Sequence, residues 1–364
     1  MKPLQNIQHH LQQHDIDTAF ITTPDNVFYL SNFASNPHER LLGIMIFQQA
    51  EPFLICPKME VPDTYAAGWA FEAVGHEDTE NAWDVLKKAC DARNVSLQTI
   101  AIEKDHVTVS RFEAMQQRFD ATFTEIDTTL SSMRVIKNEE ELQKMREAAK
   151  LADYAIEVGV HALQEGRTEM DVLNIIESAV KAKGYSMSFD TMVLAGEKTA
   201  SPHGTPGNRP ILRGDIVLFD LGVVYEGYCS DITRTVAFGD VTDAQAQLYD
   251  AVLRANEAAI AAVKPGVRAM ELDKIARDII EEAGYGHYFT HRLGHGLGIS
   301  IHEFPSINGM NDYALRPGTV FTIEPGIYKD DVAGVRIEDD VVVTKDGVEV
   351  LTSYPKALQI VPTN

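Results

Sequence analysis

A duplicated segment is the feature of this sequence that most constrains its fold. Residues 163–185 (LQEGRTEMDVLNIIESAVKAKGY) resemble residues 263–285 (VKPGVRAMELDKIARDIIEEAGY), and Gly166 and Gly184 match Gly266 and Gly284. Each copy has the pattern of a helix end, a turn and a second helix closed by glycine, and strand-like sequence follows it. Chance similarity of two amphipathic helices is the alternative, which the equal glycine spacing disfavours. The repeat predicts a domain of two pseudo-symmetric halves, with a site at their junction that draws residues from both.

The sequence ahead of this repeat predicts a separate α/β domain. Helices are expected at 1–15, near 61–70 and 80–92, and at 109–118, and strands are expected in TAFITT, NVFYLS, LLGIMIF, PFLICP and 99–103. A boundary follows within 131–142, where Asn138 is an N-cap candidate for a long helix over 139–164. We therefore expect an α/β (α+β) chain with domains at 1–132 and 133–364.

The composition excludes several classes of partner. The formal net charge of -22 over 364 residues disfavours binding to nucleic acid or to anionic membrane surfaces. The three cysteines form no CxxC pair, which favours a reducing compartment. No signal peptide and no run of 18 apolar residues is present, so a cytoplasmic protein is expected.

Four carboxylates stand where strands should bury them. Asp220 ends the apolar run IVLF, and Asp231 follows it beyond a turn at Glu226-Gly227. Glu324 closes VFTI, and Glu338 lies within VRIEDDVVV. Because an unpaired buried carboxylate is costly, these side chains need a compensating charge.

The stretch HRLGHGLGISIHE, residues 291–303, adds three histidines to these carboxylates. Its glycines permit a close backbone approach, and the alternation of Leu297, Ile299 and Ile301 predicts a strand. Two divalent cations with one imidazole ligand would neutralise four carboxylates. Such an oxygen-rich site suits Mn²⁺, Co²⁺ or Zn²⁺, with Mn²⁺ the first expectation and Co²⁺ or Zn²⁺ the alternatives.

These residues resemble the metal-ligand set of the pita-bread metallopeptidases. The resemblance is carried by Asp220, Asp231, His295, Glu324 and Glu338 within FDLG, SDITRT, GHGLG, EPGIY and RIED. It is strong over 135–364, and residues 1–130 are similar to the N-terminal domain of prolidases and creatinase. The stretch NVFYLSNFASNPHERLLG is most similar to bacterial Xaa-Pro dipeptidases. The resemblance thus implies a creatinase/prolidase-like domain followed by a pseudo-symmetric pita-bread domain that hydrolyses X-Pro dipeptides, in a protein expected to form a homodimer.

The resemblance also implies a role for each site residue. Asp220 would chelate one metal ion, Asp231 and Glu338 would bridge both, and His295 and Glu324 would complete the second. A bridging hydroxide would attack the carbonyl, with Glu324 moving the proton. His203 and His302 match histidines that contact the substrate and its tetrahedral intermediate. Arg336 would be a partner of the carboxylates, and Thr233 either offers its hydroxyl to the first metal or is an ordinary strand residue.

One position departs from the pattern of some prolidases. An arginine that binds the substrate carboxylate follows their HExP segment, whereas HEFPS has Ser306 there. The candidates for that task are Arg292, His302, and His38 or Arg40 from the NPHER loop. We expect this loop to reach an active site, which would be that of a partner subunit in a dimer.

Four other functions compete with that of a dipeptidase. An Xaa-Pro aminopeptidase acting on longer peptides is the nearest, since the motifs do not report how the pocket closes beyond proline. Methionine aminopeptidases do not need the N-terminal domain. Creatinase lacks the complete ligand set, and non-catalytic binding proteins of this fold typically lose ligands that are all present in this chain.

Overall fold

The structure, a computed structural model, describes residues 2–363 and divides into two compact units, Met1–Met133 and Arg134–Asn364. The first unit contains a sheet of six strands and the helices around it. Its elements are α1 Lys2–Gln13, β1 Thr18–Ile21, α2 Pro24–Ser31, β2 Gly43–Phe47, β3 Phe53–Pro57, α3 Val61–Ala66, β4 Glu72–His76, α4 Ala82–Asp91, β5 Thr99–Ile102, α5 Val109–Gln116, β6 Thr122–Glu125 and α6 Asp127–Arg134. Met1, included in the predicted first helix, lies outside the described residues.

The sheet of the first unit is buried on both faces. Its order is β4-β3-β2-β1-β5-β6, with β2 antiparallel to both neighbours and the other pairs parallel. Ile44 and Ile46 pack with Ile7 of α1, whereas Phe47 packs on the opposite face with Leu86 of α4. This division follows from the alternation of side chains along a strand.

The strand predicted in NVFYLS is wrong, because this segment forms α2. Pro24 occupies the first turn of that helix, and its fixed φ angle is compatible with a helix start. The carboxylate of Glu103, 1% exposed, accepts hydrogen bonds from the backbone N–H groups of Thr22 and Thr23 just before the helix. This acceptor satisfies amide groups at the helix N-terminus, and it lies too far along the chain for a local pattern to reveal it.

The second unit repeats one arrangement of helices and strands. Its elements are α7 Glu139–His161, α8 Glu169–Ala182, β7 Ser186–Met187, β8 Met192–Ala195, β9 Asp215–Leu221, β10 Val223–Tyr225, β11 Tyr228–Cys229, β12 Ile232–Phe238, α9 Asp243–Ala262, α10 Ala269–Glu282, β13 Gly294–Gly296, β14 Glu303–Ile307, β15 Val320–Ile323, β16 Gly326–Lys329, β17 Ala333–Arg336, β18 Asp339–Val343, β19 Val348–Val350 and β20 Ile360–Val361. Helices α7 and α8 form the first pair, and α9 and α10 form the second. Asn138 caps α7 in a capping box with Glu141, as its position predicted.

Equivalent hydrogen bonds confirm the duplication read from the sequence. The N–H of Gly166 donates to the carbonyl of Ile211, and the N–H of Gly266 donates to that of Leu315. Both glycines have positive φ, 80° and 86°. Each turn between paired helices is therefore bound in the same way to a segment of its own half, which precedes β9 in the first half and β15 in the second.

The inner sheets of the two halves also correspond. In the first half β8, β9 and β12 are adjacent and antiparallel, and in the second half β13, β15 and β18 repeat that order. One large apolar cluster lies mainly in each half, with members from α7 and α8 in the first and from α9 and α10 in the second. This arrangement brings strand ends from both halves to one site.

The strand predicted over Leu297, Ile299 and Ile301 is wrong. The backbone is extended on either side of these residues, in β13 and β14, and it bends between them. Gly296 pairs with Glu303 across the two strands, so residues 297–302 form an excursion from the sheet. This loop carries His302 to the site described next.

In residues 2–363, no helix is both long enough and apolar enough to cross a membrane.

Candidate metal centre

A cavity of about 420 Å³ in the second unit collects the carboxylates and histidines of both halves. All five predicted ligands line it, together with His203, Arg292, His302 and Arg336. The full lining is Phe189, Asp190, Met192, Pro202, His203, Asp220, Asp231, His291, Arg292, His295, Ile301, His302, Glu324, Arg336 and Glu338.

Asp220 and Asp231 are brought together by a long antiparallel hairpin. Strands β9 and β12 pair so that Asp220 lies opposite Thr233, two residues after Asp231. Between them, Glu226 and Gly227 both have positive φ, which is typical of a tight two-residue turn. The side chain of Asp231 is 8% exposed and that of Asp220 is 16% exposed, so both carboxylates are largely withdrawn from water.

Glu324 and Glu338 occupy matching places in the second half. Strand β15 pairs with β18 so that Ile323 lies opposite Asp339, and one more step in this register sets Glu324 opposite Glu338. Glu338 is 2% exposed, and its Oε2 accepts a hydrogen bond of 2.6 Å from the hydroxyl of Thr233 in the first half. The two sheets are thus joined at the carboxylates.

His295 enters the site from β13, where glycines allow close packing of the backbone. A Cβ on Gly294 would lie 1.9 Å from the carbonyl oxygen of Thr322, and one on Gly296 would lie 2.3 Å from that of Phe304. The Nδ1 of His295 lies 3.1 Å from the carbonyl oxygen of Gly296, an atom that only accepts. In the neutral ring Nδ1 therefore carries the hydrogen, and Nε2 presents a lone pair to the cavity.

The ligand atoms converge on this lone pair. One atom each of Asp231, His295 and Glu338 lie within 4.8 Å of one another, and all three residues are buried. The Nε2 of His295 lies 3.3 Å from Oε1 of Glu324 and 3.7 Å from Oδ2 of Asp231. Asp220 borders the same cavity, but its Oδ2 accepts a hydrogen bond from Arg336.

The electrostatics of this cluster call for a cation. Burial raises the pKa of Asp231 and of Glu338 well above their ordinary values, and the neighbouring carboxylates raise both further. Burial also raises the pKa of Glu324 to about 7. In contrast, burial lowers the pKa of His295 to about 3, which keeps its imidazole neutral. Mutually repelling carboxylates beside a neutral imidazole are the donor set of a divalent cation site, so these residues fit such ions.

His203 and His302 lie on the cavity wall, and both residues are exposed. The rings of His302 and His295 contact edge to face, with their centroids 4.2 Å apart. His291 also borders the cavity, with its Nδ1 2.8 Å from the carbonyl oxygen of Arg292 and its Nε2 2.9 Å from the hydroxyl of Tyr328.

Arg336 connects several residues behind the ligands. It donates from Nη2 to Asp220, from Nε to the hydroxyl of Thr233 over 3.0 Å and from Nη1 to that of Tyr328 over 2.7 Å. With 4% exposure, this guanidinium is fully engaged within the protein. It orients Asp220 and, through Thr233, Glu338.

Arg292 is differently placed. It donates from Nη1 to the hydroxyl of Ser306 over 3.3 Å, and within the described residues no carboxylate forms an ion pair with it. It therefore presents positive charge to the cavity.

His38 and Arg40 lie in the first unit, where His38 is exposed and Arg40 donates from Nε to Asp78 over 2.7 Å. Their part in substrate binding stays a prediction.

The sequence reasoning missed residues that support the site. Tyr328 follows Glu324 in EPGIY, yet its bonds to His291 and Arg336 depend on folding. Asp190 also borders the cavity, and its neighbours SFDTM offered no local signal. The carboxylate of Glu303, next to His302, faces Arg134 and Lys137, which are distant in sequence.

Comparisons with known proteins match the whole length of the chain. Residues 143–345 match metallopeptidase family M24, and residues 3–136 match the Creatinase/Prolidase N-terminal domain. The protein YkvY of Bacillus subtilis, a candidate dipeptidase by its name, is 52% identical over 99% of this chain and 100% of its own length.

Two solved structures are similar over almost their full length. The Xaa-Pro dipeptidase from Bacillus anthracis superposes with a TM-score of 0.92 at 34% identity and covers 99% of both chains. An X-Pro aminopeptidase from Thermotoga maritima superposes with a TM-score of 0.87 at 34% identity, covering 95% of this chain and 98% of its own.

Proposed function

The chain belongs to metallopeptidase family M24, and we propose that it is a dipeptidase that cleaves the bond before proline in X-Pro dipeptides. It has the fold expected from its sequence, a creatinase/prolidase-like N-terminal domain followed by a pita-bread domain. One observation supports the specificity most directly. Arg292, which forms no ion pair with a carboxylate in residues 2–363, borders the cavity that holds the carboxylates and histidines of the proposed metal site.

In the proposed reaction Asp220, Asp231, His295, Glu324 and Glu338 would hold two divalent cations, with Mn²⁺ the first to test. When bound, these ions would activate a water molecule and polarise the substrate carbonyl. The carboxylate of Glu324, which borders the same cavity, would accept the proton of that water and deliver it to the proline nitrogen.

The exposed histidines would complete the oxyanion-binding side of the site. His302 lies against His295, so a donor at its ring nitrogen faces the carbonyl oxygen of a peptide bound at the cluster. His203 borders the same cavity from the first half. Hydrogen bonds that strengthen as negative charge develops on oxygen would stabilise the transition state more than the substrate.

Arg292 would recognise the free carboxylate of a dipeptide. Its guanidinium can form two parallel hydrogen bonds with a carboxylate, and a longer peptide has no negative charge at that position. This contact explains how a site lacking an arginine at Ser306 could still select dipeptides.

A paired substrate assay tests the proposal. The purified protein, loaded with Mn²⁺, should hydrolyse Met-Pro or Leu-Pro far faster than Leu-Pro-Gly-Gly. Arg292→Ala should raise KM for the dipeptide by about 10-fold or more and leave hydrolysis of Leu-Pro-amide unchanged. Equal loss on both substrates would exclude Arg292 from carboxylate recognition. A preference for the tetrapeptide would favour an Xaa-Pro aminopeptidase, the activity for which the similar Thermotoga maritima protein is named.

Metal identity and assembly are tested on the same preparation. Metal analysis together with activation by Mn²⁺, Co²⁺ and Zn²⁺ would identify the preferred ion, and failure of all three would revive a non-catalytic binding role. The expected homodimer is checked by light scattering during gel filtration. A cytoplasmic location, also expected from the sequence, is checked by cell fractionation.

A further inference from the structure

Glu303 is a buried carboxylate beside the site, and the proposed reaction assigns it no role. It follows His302 directly and begins β14, and its side chain is only 7% exposed. Its Oε1 accepts from Arg134, and its Oε2 accepts from Nζ of Lys137 over 3.1 Å. The side chain of Lys137 is 2% exposed and that of Arg134 is 11% exposed, so the three charges are enclosed together.

Glu303 remains ionised in this enclosure. Burial acts to raise the pKa of Glu303, but the charges of Lys137 and Arg134 outweigh it and hold the pKa below its ordinary value. An uncompensated buried charge would be costly, so each member of the cluster depends on the others.

The same carboxylate fixes the backbone of the loop that carries His302. Its Oε1 accepts a hydrogen bond of 3.0 Å from the N–H of Ser300, whose hydroxyl accepts from Arg134 over 2.8 Å. Gly298 packs so closely that a Cβ there would lie 2.9 Å from Oε1 of Glu303. Residues 297–302 are thus held between β13 and the charged cluster.

The loop is also attached on its other side. The carbonyl of Gly298 accepts from the N–H of Cys229 over 2.7 Å. Cys229 is the last residue of β11 and lies two positions before Asp231. The Cys229 attachment fixes the start of the loop, whereas Glu303 fixes its end, where His302 stands. Displacement of His302 therefore requires the Glu303 cluster to open.

We propose that Glu303, clamped by Arg134 and Lys137, is a positioning residue that holds His302 against the metal centre. It touches neither substrate nor ligand, and its effect on turnover passes through the loop 297–302. The inference rests on the proposed function, because His302 must contact the substrate for its position to affect turnover.

A double-mutant cycle tests this route. Glu303→Gln should lower kcat/KM for X-Pro dipeptides by about 10- to 100-fold, mainly in kcat, with metal content unchanged. In a His302→Ala background the same substitution should cost less than about threefold, because the residue it positions is gone. An equal loss in both backgrounds would overturn the proposal.

Two further variants separate positioning from loss of folding. Glu303→Gln with Lys137→Met removes one buried charge of each sign and should restore thermal stability without restoring kcat. Glu349→Gln, which breaks the ion pair with Arg146 away from the cavity, is the control and should change kcat/KM less than about twofold. Full recovery of kcat in the double variant would contradict the proposal.

Hydrogen exchange gives a readout that does not depend on the reaction. Amide exchange in a peptide covering 297–303 should be about 10-fold faster in Glu303→Gln and unchanged in Glu349→Gln. Unchanged exchange in Glu303→Gln would overturn the proposal. If the unsubstituted protein cleaves no X-Pro peptide, the proposed function fails, and this exchange comparison alone decides whether Glu303 holds the loop.

Discussion

The two halves of the second unit share a frame but divide the chemistry unequally. In the first half β8 places Met192, Val193 and Leu194 beside β9, whereas in the second half β13 places His295 beside β15. Among the described residues, the imidazole that lies within the carboxylate cluster, that of His295, therefore comes from the second half. The duplicated backbone gives each half equivalent positions next to the cavity. The residue at each position then decides whether a metal ligand is present there.

The matched strand positions differ in the same way. Thr233 stands opposite Asp220 in the first half, and Glu338 stands opposite Glu324 when the register of the second half is continued. The hydroxyl of Thr233 donates to Glu338, so a neutral donor and a carboxylate meet where perfect symmetry would set two like groups together. Two opposed carboxylates there would repel, which the divergence avoids.

The largest expected effect comes from substituting these matched positions. Glu338→Ala and His295→Ala should each lower kcat/KM by on the order of 10³-fold and release metal, since each removes a ligand. Thr233→Ala should cost only about 10-fold, since it removes a donor to a ligand. Metal content and turnover are measured together, and near-normal activity of either ligand variant would invalidate the site.

Substituting the two cavity histidines, one from each half, should have a smaller effect on turnover. His203→Ala and His302→Ala should each lower kcat by about 10²-fold at unchanged metal content, because each removes a hydrogen bond to developing charge. Steady-state kinetics at saturating metal measures both. If one variant keeps its kcat, this histidine does not contact the transition state.

The contribution of Glu324 to the stability of the metal-free protein should fall as the pH rises. The pKa of Glu324 in the folded state, raised by burial to about 7, exceeds its unfolded value of 4.5, so between these values this carboxyl binds more protons in the folded state. Its contribution to the free energy of unfolding should therefore fall through this window by roughly 3 kcal/mol. Chemical denaturation in chelator at pH 5 and pH 7.5 measures it as the difference between the unsubstituted protein and Glu324→Gln, because burial also shifts the pKa of His295, in the opposite direction.

Two changes should remove this contribution. Glu324→Gln has no proton to lose, and saturating Mn²⁺ compensates the carboxylate. Glu349→Gln should leave the pH dependence in place. A metal-free Glu324→Gln variant with the same pH dependence as the unsubstituted protein would contradict the assignment of Glu324.

The smallest effect concerns the repeated turns. Gly166→Ala and Gly266→Ala each place a Cβ at positive φ where no atom lies within 4 Å, so only backbone strain opposes them. Each should destabilise the protein by about 1 kcal/mol, by the same amount in both halves. Unequal losses in thermal denaturation would show that the halves no longer share this turn.

Sequence reasoning was most successful where local spacing carries the information. The glycines of the repeat predicted the two helix pairs, and apolar runs ending in acidic residues pointed to Asp220 and Glu324. It failed where a distant partner decides the conformation. The apolar run in residues 26–31 suggested a strand, but a helix begins at Pro24, and the distant Glu103 accepts from the backbone just before it.

The residues that support the site were equally difficult to predict from the sequence. In the sequence Glu303 is one more acidic residue after His302, because its partners Arg134 and Lys137 lie 169 and 166 residues earlier in the chain. Similarly, the alternation of Leu297, Ile299 and Ile301 suggested a strand where the backbone bends. The glycines before it do serve the predicted close approach, at Gly294 and Gly296.

The short strand β20 forms an edge of the first half's sheet, although it follows the second half in the chain. It pairs with β12, and the backbone carbonyl of Tyr354 accepts from the buried Arg234 of that strand. A nascent chain that has emerged only to residue 345 would contain all five candidate ligands but not these partners. We therefore expect the first half, although translated earlier, to complete its sheet only after residues 350–361 have emerged, so that the centre forms late in translation.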